Sequence, residues 1–225
     1  MSAEGFRVLE ALTSSLDILI KNPKILLPQF VSSLVFTLIS GLSFSHLLNG
    51  LDNLFLLIPL TTLLLLAGFV VYTIVSGMYP LLVRDVLNDV SPDLAAAANT
   101  ALKKVLSLIA ASILVSIIVA IGLMLFIIPG LIFLTWFFYT IPALMLEDKG
   151  ALEAMAASRS FARDKKLNTL ILIILLGVVA FIGSLFSLLP YIGQIISFII
   201  DIVVAALASV TQSYIYIKYA KPIGM

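Results

Sequence analysis

Cysteine is absent from the 225 residues, so the chain offers no disulfide, thiolate metal site or cysteine nucleophile. Histidine occurs once, at His46, and a zinc centre needs three or four ligands. Charge is scarce as well. Asp, Glu, Lys and Arg make up 11% of the residues, against about 25% in a typical soluble chain. So few charges cannot cover a water-facing surface of this size, which argues against a soluble enzyme and a disordered regulator. The HExxH, P-loop, GxSxG and GxGxxG patterns are missing, so no enzyme activity and no cofactor are expected. The basic residues are spread thinly and form no patch, so nucleic acid is not an expected partner.

What is present is apolar. Hydrophobic residues make up 62% of the chain and the mean hydropathy is +1.21. Crossing a bilayer core takes about 20 mostly apolar residues. Six stretches qualify, near 25–47, 54–78, 107–128, 131–146, 169–189 and 194–217. The fourth is the shortest, at about 16 residues or roughly 24 Å of helix. The runs are continuously apolar rather than alternating, which argues against a β-barrel. The expected fold class is therefore all-α: a polytopic membrane protein in one integral domain, 1–225.

The connecting segments alternate in charge. Arg7, Lys21 and Lys24 precede the first span. Arg84, Lys103 and Lys104 lie between the second and third. Lys149, Arg159, Arg163, Lys165 and Lys166 lie between the fourth and fifth, and Lys218 and Lys221 follow the sixth. The other three connections carry no Lys or Arg. All thirteen basic residues thus fall on one side of a six-span chain. Basic flanks stay cytoplasmic, so the expectation is a multi-pass cell-membrane protein with both termini inside. The first twenty residues lack the pattern of a cleavable signal, so the first span is expected to act as an uncleaved one.

A threefold repeat is also suggested. Lys24 to Gly50 and Lys104 to Gly130 each span 26 residues, and Lys166 to Gly193 spans 27. The three glycines are expected in outer turns, at Pro129-Gly130 and Pro190 to Gly193 beside a Pro, where they would supply positive φ. An amphipathic segment precedes each hairpin. In 5–20, Arg7, Glu10, Ser14, Asp17 and Lys21 form one stripe, and Phe6, Leu9, Thr13, Leu16 and Ile20 form the next. In the second unit Ser91 reads as a helix N-cap before Pro92. The third segment is 150–166. The units are about 5–82, 91–147 and 150–219, each an amphipathic interfacial helix followed by two spans. The alternative is that these are ordinary connecting helices. Membrane lipids are an expected partner in either case.

Chemistry inside the spans points first to Asp201, about eight residues into the sixth span and roughly 12 Å from its outer end. An acid at that depth costs about 2.5–3.5 kcal/mol on insertion scales, so it usually faces a bundle interior or a water-filled cavity. Ser197, Asp201, Ala205, Ala208 and Gln212 share its helix face. One reading makes Asp201, with Ser197 and Gln212, part of a cation or proton path. The other makes it a protonated packing residue. Gln29, Ser33, Thr37 and Ser40 form a second polar stripe in the first span, where hydroxyls commonly serve helix packing. Arg84 and Asp85 end the second span, and Glu147 and Asp148 the fourth. Pairing across the spans would make them a cytoplasmic gate; otherwise they anchor the interface. Pro59, Pro80 and Pro142 could break spans and expose carbonyls to an ion, or merely kink them. Small residues such as Ala205, Ala206, Ala208 and Ser209 permit helix packing within a chain or in a homo-oligomer.

One stretch carries a resemblance: Ile128-Pro129-Gly130, Trp136, Pro142, Glu147-Asp148, Gly150, Glu153-Ala154, Ser158 and Lys165-Lys166, with Lys21-Asn22-Pro23 upstream. It resembles the six-span membrane domain attached to some bacterial glycerophosphodiester phosphodiesterases, and related stand-alone membrane proteins. That family's hydrolase activity belongs to a separate soluble domain, so the resemblance implies architecture and no catalysis here. The leading expectation is a channel or transporter-like protein. A structural or lipid-interacting membrane protein is the alternative, and a membrane-embedded lipid enzyme is a third class.

Overall fold

The computed structural model describes residues 6–49, 54–189 and 192–220. Within them every regular element is helical. The α-helices are α1 (Val8–Lys21), α2 (Leu26–Asn49), α3 (Leu54–Leu87), α4 (Leu94–Lys103), α5 (Val105–Leu125), α6 (Ile127–Phe137), α7 (Thr140–Leu146), α8 (Ala151–Arg163), α9 (Lys166–Leu185) and α10 (Ile192–Tyr219). A helix satisfies its own backbone, which an apolar chain in lipid requires. Six stretches are long and apolar enough to cross a membrane: Pro23–Gly41, Ile58–Leu87, Val105–Leu125, Ile127–Leu146, Lys166–Leu188 and Ile192–Tyr219. They match the six expected spans, with shifted ends. Gly50, Pro190 and Tyr191 lie outside the described residues, as does the side chain of His46.

The buried core gathers toward the basic end. There Phe6, Tyr79, Leu82, Tyr139, Leu144, Leu172 and Ile215 are all buried. Tyr79 in α3 donates its hydroxyl proton to the Ile25 carbonyl at 3.2 Å, tying the start of the first span to the second. Asn168 at the head of α9 donates to the Phe6 carbonyl at 2.6 Å, and the Phe6 ring stands 6.2 Å from that of Tyr219. The two described ends of the chain therefore meet. At the opposite end the apolar side chains are uncovered: Met124 is 87% exposed, Phe126 75% and Leu188 79%. An apolar girdle of this kind needs a lipid or protein partner.

Two expectations about local structure are corrected. The turn between the third and fourth spans is not at Pro129-Gly130. It is at Phe126, which is extended at φ −162° and ψ 154°, and Pro129 and Gly130 sit in the first turns of α6. Proline is tolerated there because that N–H has no intrahelical partner. The described glycines include none with positive φ. Gly130 matters through its missing side chain instead: a Cβ there would stand 2.8 Å from the Leu123 nitrogen, and one on Gly122 would stand 2.9 Å from the Gly130 Cα. The two glycines let α5 and α6 cross in contact. The second correction concerns α4, whose N-cap is Asp93 rather than Ser91. The Asp93 carboxylate accepts from the N–H groups of Ala95 at 2.9 Å and Ala96 at 3.0 Å.

Separate helices do precede three of the spans: α1, α4 and α8. Of the apolar stripe foreseen for α1, only Phe6, just before the helix, is buried. Leu9, Leu16 and Ile20 are exposed, while Ala11, Ser15, Ile18 and Leu19 are buried against the bundle.

Gly130→Ala should lower the melting temperature of the purified protein in detergent, with an overpacking cost of about 1–3 kcal/mol. Gly177→Ala, in α9 with open space where its Cβ would go, should instead be neutral or gain up to about 1 kcal/mol. Equal behaviour of the two variants would contradict the close crossing of α5 and α6.

Candidate functional site

The polar stripe of α2 and the acid of α10 meet. Gln29, Ser33 and Thr37 recur every four residues along α2, so they line one face. With Ser32, they border a cleft of about 390 Å³ between α2, α3 and α10, into which Asp201 also projects. Leu65, Phe69 and Tyr72 of α3 form the facing wall, and Phe36 and Phe198 complete it. Gly68 lets α3 approach: a Cβ there would meet Ile39 Cδ1 of α2 at 3.2 Å. Phe30 and Phe198 pack edge to face at 6.3 Å, which holds α2 against α10.

Asp201 is exposed to this cleft. It stands 17 residues, or about 26 Å, from Lys218 at the basic end of α10. Among the described residues, none donates a hydrogen bond to it or pairs with it. No Lys or Arg lines the cleft. Gln29 is buried, with its amide nitrogen 3.4 Å from Ser33 Oγ, and Ser32 is buried beside it. The cleft's polar inventory is thus one carboxylate, one carboxamide and four hydroxyls, the phenol of Tyr72 among them. Those are hard oxygen donors, the kind that suit small cations. No group of three or more His, Asp or Glu residues comes together among the described residues.

Ser197 and Gln212 share the α10 face with Asp201, but neither lines the cleft. Ser197 is buried one turn toward the N-terminal end of α10. Gln212 lies 11 residues the other way, about 16 Å along the helix, where it does a different job. Pro142 has no N–H, so the Phe138 carbonyl four residues before it loses its helical donor. The fourth span breaks at Phe138 and Tyr139, between α6 and α7. The Gln212 amide donates to that freed Phe138 carbonyl. Ser158 of α8 accepts from the Tyr139 N–H at 3.1 Å and donates to the Trp136 carbonyl at 2.8 Å. Thr140 Oγ1 donates to the Phe137 carbonyl at 2.8 Å. The Tyr139 ring is buried against Phe161 at 4.8 Å, and its hydroxyl lies 3.1 Å from Thr169 Oγ1. The carbonyls of the break are therefore taken up by protein donors and are not open to an ion. Pro59 and Pro80 sit within an uninterrupted α3.

The four residues considered as a gate do not converge. Arg84 pairs with its neighbour Asp85 at 3.5 Å. Glu147 accepts from the Tyr216 hydroxyl and pairs with Lys149. Asp148, in the left-handed region at φ 54°, pairs with Lys104. Lys104 also donates to the Leu144 carbonyl at 3.1 Å, so it ties α4 to the end of α7. Its hydrogen bond and charge hold the Asp148 carboxyl below the usual carboxylate range. That pairing is present at neutral pH and fades as the pH falls through the lowered pKa. Because Asp148 is fully exposed, its contribution is small. These residues clamp the basic end and leave no cross-span pairing for Arg84.

Comparison with protein-family models, with curated proteins and with solved structures finds no match for this chain.

Gln212→Leu should leave the Phe138 carbonyl without a donor and destabilise the protein by about 1–3 kcal/mol. Thermal unfolding in detergent would register this as an earlier melt. Ser158→Ala, which strands groups of the same break, should act in the same direction. A Gln212→Leu protein as stable as wild type would contradict the assigned bond.

Proposed function

We propose that this chain is a non-enzymatic, channel- or transporter-like protein of the cell membrane that takes up a cation or proton at Asp201. The observation that carries the reading is a single unpartnered carboxylate in a cleft whose other polar groups are all neutral oxygen donors or amides. A cation entering there meets no competing ammonium or guanidinium. Asp201 supplies the charge, and Gln29, Ser32, Ser33 and Thr37 supply oxygens in place of water. The rungs Gln29, Ser33 and Thr37 are spaced about 6 Å apart along α2. They lead from near Lys24 toward the level of Asp201, and Ser197 is the next polar step outward. Gln212 drops out of this path because its amide is bound to Phe138.

Within this reading the basic end faces the cytoplasm, by the excess of Lys and Arg there. The units 5–82, 91–147 and 150–219 act as three hairpins, each led by an interfacial helix: α1, α4 and α8. The exposed Leu9, Leu16 and Ile20 of α1 support a helix lying in the headgroup region. The resemblance of 128–166 to a six-span membrane domain, in a family whose hydrolase activity belongs to a separate soluble domain, agrees with a bundle that does not itself hydrolyse. One observation favours a structural or lipid-interacting role instead: the cleft opens on the flank of the bundle, where Phe36 and Tyr72 are more than half exposed.

Flux in proteoliposomes separates the two. Wild type should move a monovalent cation or protons faster than empty vesicles, and Asp201→Asn should cut that flux by roughly tenfold or more, the size of an effect worth about 1.4 kcal/mol. Wild-type vesicles no leakier than empty ones, across several cations and pH gradients, would end the transport reading.

A further inference from the structure

A second region of the molecule combines cationic and apolar surfaces in a way the Asp201 cleft does not. In α8, Ala156, Arg159, Ser160 and Arg163 lie at i, i+3, i+4 and i+7, so they share one face. That face borders a cavity of about 520 Å³ closed by Trp136 of α6 and Lys166 of α9. The Arg159 guanidinium stands 4.6 Å over the Trp136 ring, which fixes it in place. Among the described residues, no carboxylate lies within ion-pair distance of Arg159, Arg163 or Lys166. Arg159 and Arg163 are like charges four residues apart on one helix, an arrangement that weakens the helix unless an anion intervenes.

The same two residues, Trp136 and Lys166, also border a groove of about 330 Å³ between α6 and α9. Ile128, Leu131 and Ile132 line it on one side, and Leu167 and Leu170 on the other. Its one hydroxyl, on Thr135, is already bonded to the Leu131 carbonyl at 2.8 Å. From Trp136 to Ile128 the groove runs about 12 Å along α6, away from the basic end. A cationic mouth at the head of two apolar spans, continuous with an apolar slot, matches a molecule with an anionic head and an aliphatic tail. A free phosphate would use only the mouth and leave the slot empty.

We infer that Arg159, Arg163 and Lys166 bind the phosphate of an anionic phospholipid whose acyl chain lies in the α6–α9 groove. Guanidinium forks match phosphate oxygens in a bidentate geometry. Basic pockets between spans on the inner side of a membrane suit such headgroups. The site is separate from the Asp201 cleft and does not depend on what Asp201 does.

Trp136 is the only tryptophan of the chain, so its fluorescence reports on this site alone. The full-length protein is placed in phosphatidylcholine nanodiscs containing either phosphatidylglycerol or phosphatidylcholine with brominated acyl chains, at equal mole fraction. Brominated phosphatidylglycerol should quench Trp136 more strongly, with an apparent preference of about fivefold, one basic residue's attraction to an anionic lipid. Arg163→Gln should reduce the preference, and Arg159→Gln with Arg163→Gln should abolish it. Lys103→Gln, which removes an equal charge outside the cavity, should keep it. Excess inorganic phosphate should not displace the lipid. Equal quenching by the two lipids in wild type would overturn the proposal. So would a preference that survives the double substitution, or its loss in inorganic phosphate, which would assign the mouth to a free anion.

Discussion

Inside an apolar bundle a polar group must find its partner within the protein, because no water or lipid tail supplies one. That constraint explains why the two polar sites of α10 differ so much. At Gln212 the demand comes from the backbone: Pro142 strips the Phe138 carbonyl of its donor, and a side chain from another span supplies it. Ser158 and Thr140 complete the same repair. The result is a closed polar core surrounded by Tyr139, Phe161 and Tyr216. At Asp201 the demand comes from a carboxylate, and the neighbouring helices bring hydroxyls and an amide but no bond to it. A finished site and an unfinished one stand on the same helix face, about 16 Å apart. The unfinished one is where a ligand has something to gain.

The basic end follows the same logic. Lys104, Lys149 and Lys218 each have an acidic partner, and Lys104 and Asn168 also satisfy backbone carbonyls where helices meet. Those contacts join α1 to α10, the residue before α1 to α9, and the end of α4 to the end of α7. Arg159, Arg163 and Lys166 face a cavity rather than a carboxylate among the described residues. At the end of the bundle away from the basic residues, Gly122 and Gly130 allow α5 and α6 to cross in close contact.

The spans were legible in the sequence because about 20 apolar residues in a row have few alternatives. Local turn chemistry was the weaker guide. Pro129-Gly130 looks like a turn, yet both residues suit a helix start: proline needs no donor there, and glycine permits a close crossing. The face of α1 that packs could not be told from the one left exposed, since Leu9, Leu16 and Ile20 are as apolar as the buried Ile18 and Leu19. Gln212 looked like part of a path because it shares a face with Asp201. Its real partner depends on Pro142, 70 residues earlier, and only tertiary structure joins the two. Conversely, the Gln29, Ser33 and Thr37 stripe was visible as a stripe, but nothing in one chain's periodicity says that it faces Asp201.

Cation uptake, as proposed, requires that Asp201 be a carboxyl group held open within the span. A lipophilic carbodiimide, which modifies carboxyl groups inside membranes, tests it directly. Mass spectrometry of protein treated in its native membrane should find the adduct at Asp201, formed more slowly as the concentration of the bound cation or the pH is raised. An Asp201 that never reacts, or that reacts at the same rate under every ionic condition, would contradict the account.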